Sequence, residues 1–260
     1  MIKKILFKSK IKAVFLEDSS KLTAGQKVAM RGIFSDVMKG LSFYAREEFI
    51  DKLFESPIII LMYQNGDMVG FGTACRREAA GYDVTHILSA YVIKECQRNG
   101  VMMNCFRKFI RSEAIRNRLC VVKPLYITAS TVNPQVLKAM AKIADVWPNF
   151  NEKIPVPDDV QEIIYESIDK YYPAGNSKPF QAEIAESMAG VREDSADHST
   201  GDSDFDEKFY QIAVPKERKL LVFCARITKD RLWKLFRPQV ELSRLSGLIR
   251  HTHKSSSART

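Results

Sequence analysis

The sequence predicts a mixed α/β fold in which a central, mostly antiparallel sheet is flanked by helices. Three observations favour this class. Apolar runs of strand length alternate with stretches in which apolar residues recur every three or four positions. The pair Asn65-Gly66, between two such runs, is the strongest hairpin signal in the chain. A later strand-like run, from Val84 to Ile93, passes through a polar turn directly into a helical pattern.

Composition indicates a globular chain with reduced thiols. With 260 residues and 45% hydrophobic content, it can bury one sizeable core. The five cysteines are odd in number and form no Cys-x-x-Cys pair, so we expect a cytoplasmic protein with neither a disulfide framework nor a metal site. The apolar run Ile5–Phe7 is too short for a secretory signal, and no run is long enough to be a transmembrane segment.

Charge is unevenly distributed along the chain. The net charge is +9, but residues 155–206 contain thirteen acidic and three basic residues, a net of −10, so the remainder carries +19. A basic body attracts an anionic cofactor, an acidic substrate or a polyanion. Charge alone therefore leaves nucleic acid open as a partner.

The first half of the chain predicts a strand, two helices and a three-stranded meander. Thr23 is placed to cap the first helix. In order, the expected elements are a strand at 11–16, helices at about 24–39 and 46–55, strands at 58–63 and 68–76, and the strand from Val84 to Ile93.

The second half predicts further elements around an acidic segment. They are a strand at 120–128 with an irregularity at Pro124, a helix at 134–144, a helix at 160–171, a polar and mobile stretch at 186–206, and a closing hairpin of strands 208–214 and 219–227. We expect four units: a core at 1–154, an acidic, partly disordered insertion at 155–206 before the last hairpin, closing strands at 207–228 and a basic tail at 229–260.

The junction between strand and helix contains Gln97-Arg98-Asn99-Gly100. Unpaired N–H groups at a helix N-terminus, together with the positive end of the helix dipole, form an anion site suited to phosphate. This Gln-x-x-Gly resembles the pyrophosphate-binding motif of the GNAT superfamily of acyl-CoA-dependent N-acyltransferases, Gln/Arg-x-x-Gly-x-Gly/Ala. The order of elements is also GNAT-like, although Met102 stands where the motif has a small residue. The alternative is an ordinary turn that Gly100 merely eases.

The resemblance implies a cofactor, acetyl-CoA or another acyl-CoA, and a set of residues that bind it. In the family a bulge in the strand aims a backbone N–H at the thioester carbonyl, here an amide of Ala90, Tyr91 or Val92. Asn133 would point at the pantetheine arm, unless it only caps the following helix. The diphosphate would lie on the amides of Gln97, Arg98, Asn99, Gly100, Val101 and Met102.

Two catalytic roles follow from the resemblance. His86 is the candidate base for the incoming amine, because an imidazole titrates near neutrality; the alternative is a histidine whose nitrogens are satisfied within the fold, and Asp83 is a weaker substitute. The tyrosine that protonates the departing thiolate in many family members is replaced here by Met140 or Ala141. Tyr91 and Tyr126 are the candidate donors in its place, unless they are core residues.

The predicted function is an acyl-CoA-dependent N-acyltransferase that transfers an acetyl group from acetyl-CoA to an unidentified amine acceptor by direct attack. No covalent nucleophile is needed, so Cys96 has no assigned role. Met102 and the missing tyrosine motivate an alternative, a catalytically degenerate GNAT-fold protein that binds CoA. The charge of +19 outside the acidic segment motivates another, a polyanion-binding protein.

Overall fold

The apolar runs of the sequence become the strands of a single sheet. The computed structural model describes residues 11–39, 43–97, 99–120, 123–150, 155–172, 179–183, 199–214 and 217–236. Within these ranges the strands are β1 (Ile11–Leu16), β2 (Ile58–Gln64), β3 (Asp67–Ala79), β4 (Tyr82–Val92), β5 (Leu125–Thr131), β6 (Asp145–Trp147), β7 (Gln181–Glu183) and β8 (Lys219–Ile227). The helices are α1 (Ala24–Val37), α2 (Phe43–Phe54), α3 (Val101–Arg116), α4 (Pro134–Met140), α5 (Asp158–Tyr171), α6 (Ser203–Tyr210) and α7 (Lys229–Phe236).

The sheet runs in the order β1-β2-β3-β4-β5-β8-β6, and β7 also pairs with β8. Only the β4–β5 ladder is parallel among the strands described; every other pairing is antiparallel. The predicted class, a mostly antiparallel central sheet flanked by helices, is confirmed.

Local signals place the first half of the chain as predicted. The Thr23 hydroxyl accepts from the Gln26 N–H at 3.2 Å, while the Gln26 side chain accepts from the Thr23 N–H at 3.0 Å, which closes a capping box at the start of α1. Asn65 and Gly66 have φ angles of 55° and 106°, which is typical of a tight hairpin between β2 and β3.

Helices cover both faces of the sheet. On one face, α3 contributes Phe109 and Ile110 to an apolar cluster that α4, α6 and α7 complete. On the other face, α1 and α2 pack over β2 and β3 through Phe34 and Ile50, and α5 packs over β5 and β8. The second face thus has two separate covers, with the middle of β3 and β4 between them.

The acidic segment contributes to the core through α5. Its buried positions Val160, Ile163, Ile164 and Ile168 share a cluster with Tyr126, Val222 and Cys224 of the sheet. Residues 186–198 of the predicted mobile stretch lie outside the described residues, and residues 203–206 at its end form the first turn of a helix. The division of the chain into four units remains a prediction.

The predicted closing hairpin is wrong. Residues 203–210 form α6, because Asp202 caps the helix by accepting from the Phe205 N–H at 3.2 Å and Asp204 pairs with Lys208 one turn later. β8 therefore has no hairpin partner at 208–214. It pairs with β5 instead, from Leu125↔Ile227 to Thr131↔Leu221.

Element boundaries also differ, most of all at the start of β5 and at the end of α4. β5 starts at Leu125, after Pro124 rather than through it, because proline cannot donate to a ladder. The helix α4 ends at Met140, whose carbonyl accepts from both the Ile143 and the Ala144 N–H and so tightens the last turn. After a turn at 141–144, Asp145–Trp147 form β6, a short strand that the sequence did not predict.

A buried carboxylate joins α3 to the sheet. Glu113 is 1% exposed and accepts two bonds from the Arg76 guanidinium, at 2.6 and 2.8 Å, and one from the Thr85 hydroxyl at 3.0 Å. The hydrogen bond to Glu113 is the main reason that the pKa of Arg76 is raised. This ion pair locks α3 against β3 and β4.

Replacing Glu113 with alanine leaves the Arg76 guanidinium and the Thr85 hydroxyl without their buried acceptor. We expect a loss of about 2–4 kcal/mol in the free energy of unfolding, measured by urea denaturation. The control is Glu47→Ala, which removes the half-exposed partner of Arg31 and is expected to cost less than about 1 kcal/mol. Equal losses in the two variants would contradict this role of Glu113.

Candidate active site

The strand-turn-helix junction forms as predicted. β4 ends at Val92, a 3-10 turn covers Lys94–Cys96, and Gly100 takes a left-handed φ of 73° before α3 begins at Val101. The first helical hydrogen bond runs from the Asn104 N–H to the Gly100 carbonyl at 2.9 Å. Gly100 is the N-cap residue, and with no side chain it cannot cap the helix. The N–H groups of residues 101–103 therefore precede the first helical bond at an exposed helix start.

The polar side chains of the junction hold the turn itself. Gln97 donates from Nε2 to the Val92 carbonyl at 2.9 Å, and its own N–H donates to the Ile93 and Lys94 carbonyls. The Asn99 side chain donates to the Glu95 carbonyl at 3.2 Å. Gln97 and Asn99 thus shape the junction, and the Gln97 amide is already engaged, contrary to its predicted role as a phosphate donor.

The remaining junction residues differ in position. Val101, the first residue of α3, is buried in the apolar cluster between α3 and the sheet, and Met102 is partly buried against the same cluster. Both side chains lie on the core side of the helix, so Val101 and Met102 could contact an anion only through their main-chain N–H groups. Arg98 lies outside the described residues.

The ladder between β4 and β5 stops early. Its pairs run from Val84↔Tyr126 to Ile87↔Ala129, although β4 continues to Val92 and β5 to Thr131. On the other edge of β4, the register with β3 shifts between Thr73↔Ser89 and Ala74↔Ile87, which makes Leu88 a bulged residue. The predicted bulge exists, but it lies two residues before Ala90.

Beyond the bulge, alternate residues of β4 face the open side. The Ile93 N–H donates to the Val69 carbonyl of β3 at 3.0 Å. Because successive residues of a strand turn their polar groups to opposite edges, Tyr91 also faces β3, whereas Ala90 and Val92 face the side where β5 has left. The bond from Gln97 to the Val92 carbonyl is consistent with this direction.

Two glycines of β3 let β4 approach closely along this stretch. A Cβ at Gly70 would lie 2.6 Å from the Tyr91 carbonyl oxygen, and one at Gly72 would lie 3.0 Å from the Ser89 carbonyl oxygen. Any side chain at Gly70 would push β4 away. The position of the open edge thus depends on β3 as well as on β4.

A polar strip crosses the second face of the sheet between its two covers. The Thr73 and Ser89 hydroxyls are hydrogen-bonded at 2.8 Å, with Thr73 fully buried and Ser89 9% exposed. Two residues further along β3, the Cys75 thiol is 2.9 Å from the hydroxyl of Tyr171, the last residue of α5. Burial, followed by the bond with Cys75, raises the pKa of Tyr171.

His86 belongs to the buried end of this strip. It is 1% exposed, its ring stacks on Tyr171 with centroids 4.0 Å apart, and its Nδ1 is 2.8 Å from the Thr128 hydroxyl. Burial, followed by the charge of Arg77, lowers the pKa of His86 to about 3. The imidazole stays neutral and covered, so the structure disfavours His86 as the base that takes a proton from an ammonium group.

Tyr126 lies at the far end of the sheet. It pairs with Val84, six strand positions before Ala90, which corresponds to roughly 20 Å along the strand. Its hydroxyl donates to the Asp159 carboxylate, and burial, followed by that bond, raises its pKa. Tyr126 is a buried core residue far from the junction, so its predicted role as proton donor is not supported.

Tyr91 and Asn133 also have structural roles. The Tyr91 ring packs 5.2 Å from both the Phe34 and the Phe71 rings beneath α1, so its predicted proton transfer is not supported. The Asn133 side chain accepts from the Gln135 N–H at 2.9 Å and caps α4. Its contact with a pantetheine arm remains a prediction.

Apart from His86, sequence reasoning missed the members of the polar strip. Thr73 and Cys75 alternate in β3, which is a signal that they share a face, but nothing local shows that Ser89 and His86 join them. In the part of the chain that the structure describes, no group of three or more His, Cys, Asp or Glu could hold a metal ion. Within the same ranges no helix is long and apolar enough to cross a membrane.

No protein-family model matches this chain, and no curated protein matches it. Solved structures do. An aminoglycoside acetyltransferase, HMB0005, from an uncultured soil metagenomic sample is 16% identical, with a TM-score of 0.39 over 57% of this chain and 99% of that one. Aminoglycoside N-acetyltransferase AAC(6')-Iy in complex with a CoA bisubstrate analogue is 15% identical, with a TM-score of 0.39 over 57% and 96%.

A GCN5-related N-acetyltransferase from Kribbella flavida is 12% identical, with a TM-score of 0.37 over 51% of this chain and 32% of that one. The order of elements from β1 to α3, the mostly antiparallel sheet and the junction into α3 are the features that the resemblance to the GNAT superfamily implied.

The buried neutral His86 predicts a pH effect on stability. A histidine titrates near 6.5 in an unfolded chain, but near 3 in this fold. The stabilisation is therefore complete above pH 6.5 and is lost as the pH falls towards 3, because the unfolded chain binds the proton first. Between pH 7 and 5 we expect the wild-type protein to lose about 2 kcal/mol more unfolding free energy than His86→Asn, measured by urea denaturation. Parallel pH profiles would show that His86 is accessible to protons in the folded state.

Proposed function

We propose that this protein is an acyl-CoA-dependent N-acyltransferase that transfers an acetyl group from acetyl-CoA to an amine. One observation carries the proposal: the β4–β5 ladder ends at Ile87↔Ala129, and β4 then leads into the start of α3, where the N-cap residue Gly100 has no side chain to cap the helix. The open edge of β4 and the exposed start of α3 thus follow one another along the chain. This arrangement suits a long ligand with an anionic diphosphate at one end.

The residues fit such a cofactor. The N–H groups of Val101 and Met102 would receive the diphosphate, with Gly100 leaving the approach free of a side chain. The open edge between β4 and β5 would take the extended arm. When bound, acyl-CoA supplies the activated acyl thioester, and the Ala90 N–H is the donor of this chain that would stabilise negative charge on the carbonyl oxygen.

The acceptor would approach over the polar strip. Its described members are hydroxyls, a thiol and a neutral imidazole, from Thr73, Ser89, Tyr171, Cys75 and His86. None of these groups carries the charge that would hold an ammonium ion, and Cys75 and Tyr171 are the partly exposed ones that could orient a neutral amine by hydrogen bonds. We therefore expect the amine to react as the free base, with a rate that rises with pH towards the pKa of the acceptor.

A second candidate function is a GNAT-fold protein that binds CoA without turnover. The burial of His86 favours it, as does the presence of Met140 and Ala141 where a proton-donating tyrosine was expected. The two candidates share the binding site and differ only in chemistry.

Gly100→Val tests the binding site. The β-branched side chain disfavours the left-handed φ of 73° and crowds the approach to the helix start, so acetyl-CoA affinity should fall at least about tenfold by isothermal titration calorimetry, equivalent to one charge-assisted hydrogen bond. Gly81→Val is the matched control, because Gly81 has the same φ of 73° in the turn between β3 and β4. Equal affinities in Gly100→Val and Gly81→Val would refute the site.

Thiol release distinguishes the two candidates. The assay uses acetyl-CoA with a panel of small amines, amino acids and peptides that have a free amino terminus. The acyltransferase should release free CoA at a rate that depends on the amine and increases from pH 7 to 9. His86→Asn should retain most of this activity, because a covered neutral imidazole does not collect the proton. Acetyl-CoA binding with no release for any amine would favour the second candidate.

A further inference from the structure

A second group of polar side chains lies at the end of the sheet opposite the α3 junction. There, where β4 and β5 begin and β8 ends, the surface contains a cavity of about 310 Å³. The whole length of β4, ten residue steps or roughly 33 Å, separates its Tyr82 wall from Val92. The polar and charged residues of its wall include Tyr82, Lys123, Tyr126, Asp159, Arg226 and Lys229.

The carboxylate of the cavity is already engaged by the fold. One oxygen of Asp159 accepts from the Val160 N–H at 2.9 Å in the first turn of α5. The other accepts from the Tyr126 hydroxyl, and an Arg226 nitrogen lies 4.0 Å away. Asp159 is therefore fixed as part of the wall.

The cations of the cavity are more numerous than its carboxylates. Lys123 donates to the Gly81 carbonyl at 2.6 Å and lies 5.5 Å from the centre of the Tyr82 ring. Arg226 stacks over the Trp147 ring at 4.8 Å, which holds the guanidinium in place. With Lys229 at the exposed start of α7, the wall carries three positive charges and one negative charge.

We propose that this cavity binds a small molecule through a phosphate dianion. A net charge of +2 matches a dianion, and ammonium and guanidinium groups are the strong donors to phosphate oxygens. The volume is at the lower end of the range for metabolite sites. A concave site of this size suits a compact phosphate better than a nucleic-acid backbone, which needs a continuous basic surface.

Inorganic phosphate is the probe for this site. A ³¹P nuclear magnetic resonance titration compares the wild-type chain with Lys123→Gln/Lys229→Gln, two exposed lysines whose replacement leaves the Asp159 contacts in place. The control, Lys94→Gln/Lys142→Gln, removes the same charge, with one change in the 3-10 turn before α3 and one in the turn after α4. We expect the dissociation constant to rise at least about tenfold in the first variant and less than about twofold in the control.

The possible outcomes separate the two sites. No phosphate binding by the wild-type chain, equal constants in both variants, or a larger loss in the control would overturn the proposal, and the last would place phosphate at the α3 junction. A short DNA duplex provides the second arm. Duplex binding that weakens with the loss of Lys123 and Lys229 while inorganic phosphate fails to bind would replace the small ligand by a nucleic acid. Circular dichroism checks that both variants fold.

Discussion

The bulge at Leu88 is the local feature on which the rest of the site depends. Residues three apart in a regular strand lie on opposite faces, yet His86 and Ser89 both pair with residues of one face of β3, Cys75 and Thr73. One extra residue thus gathers a histidine, a serine, a threonine and a cysteine into a single strip. The same residue marks the end of the β4–β5 ladder and leaves the amides of Ala90 and Val92 on the open side.

Helices pack on both faces of the sheet around that bulge. The α3 helix packs on one face and presents its N-terminus to the end of β4, with Glu113 holding it to β3 and β4. On the other face Phe34 of α1 packs on Tyr91, and Tyr171 of α5 packs on His86, so the Thr73–Ser89 pair lies between the two contacts. The proposed chemistry would take place at the open edge of β4, and the charged cavity at the far end of the sheet is a separate environment.

Sequence reasoning succeeded where the deciding interactions are local. Thr23 with Gln26, Asn65 with Gly66, and Gly100 before an apolar helical repeat each specify their structure within a few residues. It failed where the partner is distant. His86 looked suitable as a base because the residue that covers it, Tyr171, lies 85 positions later in the sequence. The stretch KFYQIAV has strand-like composition, but a cap at Asp202, before the stretch begins, makes its first part helical. The position of the bulge likewise depends on the register of β3 against β4, which no single segment encodes.

Amide hydrogen exchange along β4 tests the central claim most directly. In the free protein the Ala90 N–H should exchange faster than those of Ser89 and Tyr91, which face β3. Addition of acetyl-CoA should slow exchange at Ala90 and at residues 101–103, while Tyr126 remains unchanged. Ala90 protection equal to that of its neighbours in the free protein, with no change when acetyl-CoA is added, would contradict an open strand edge that receives the cofactor.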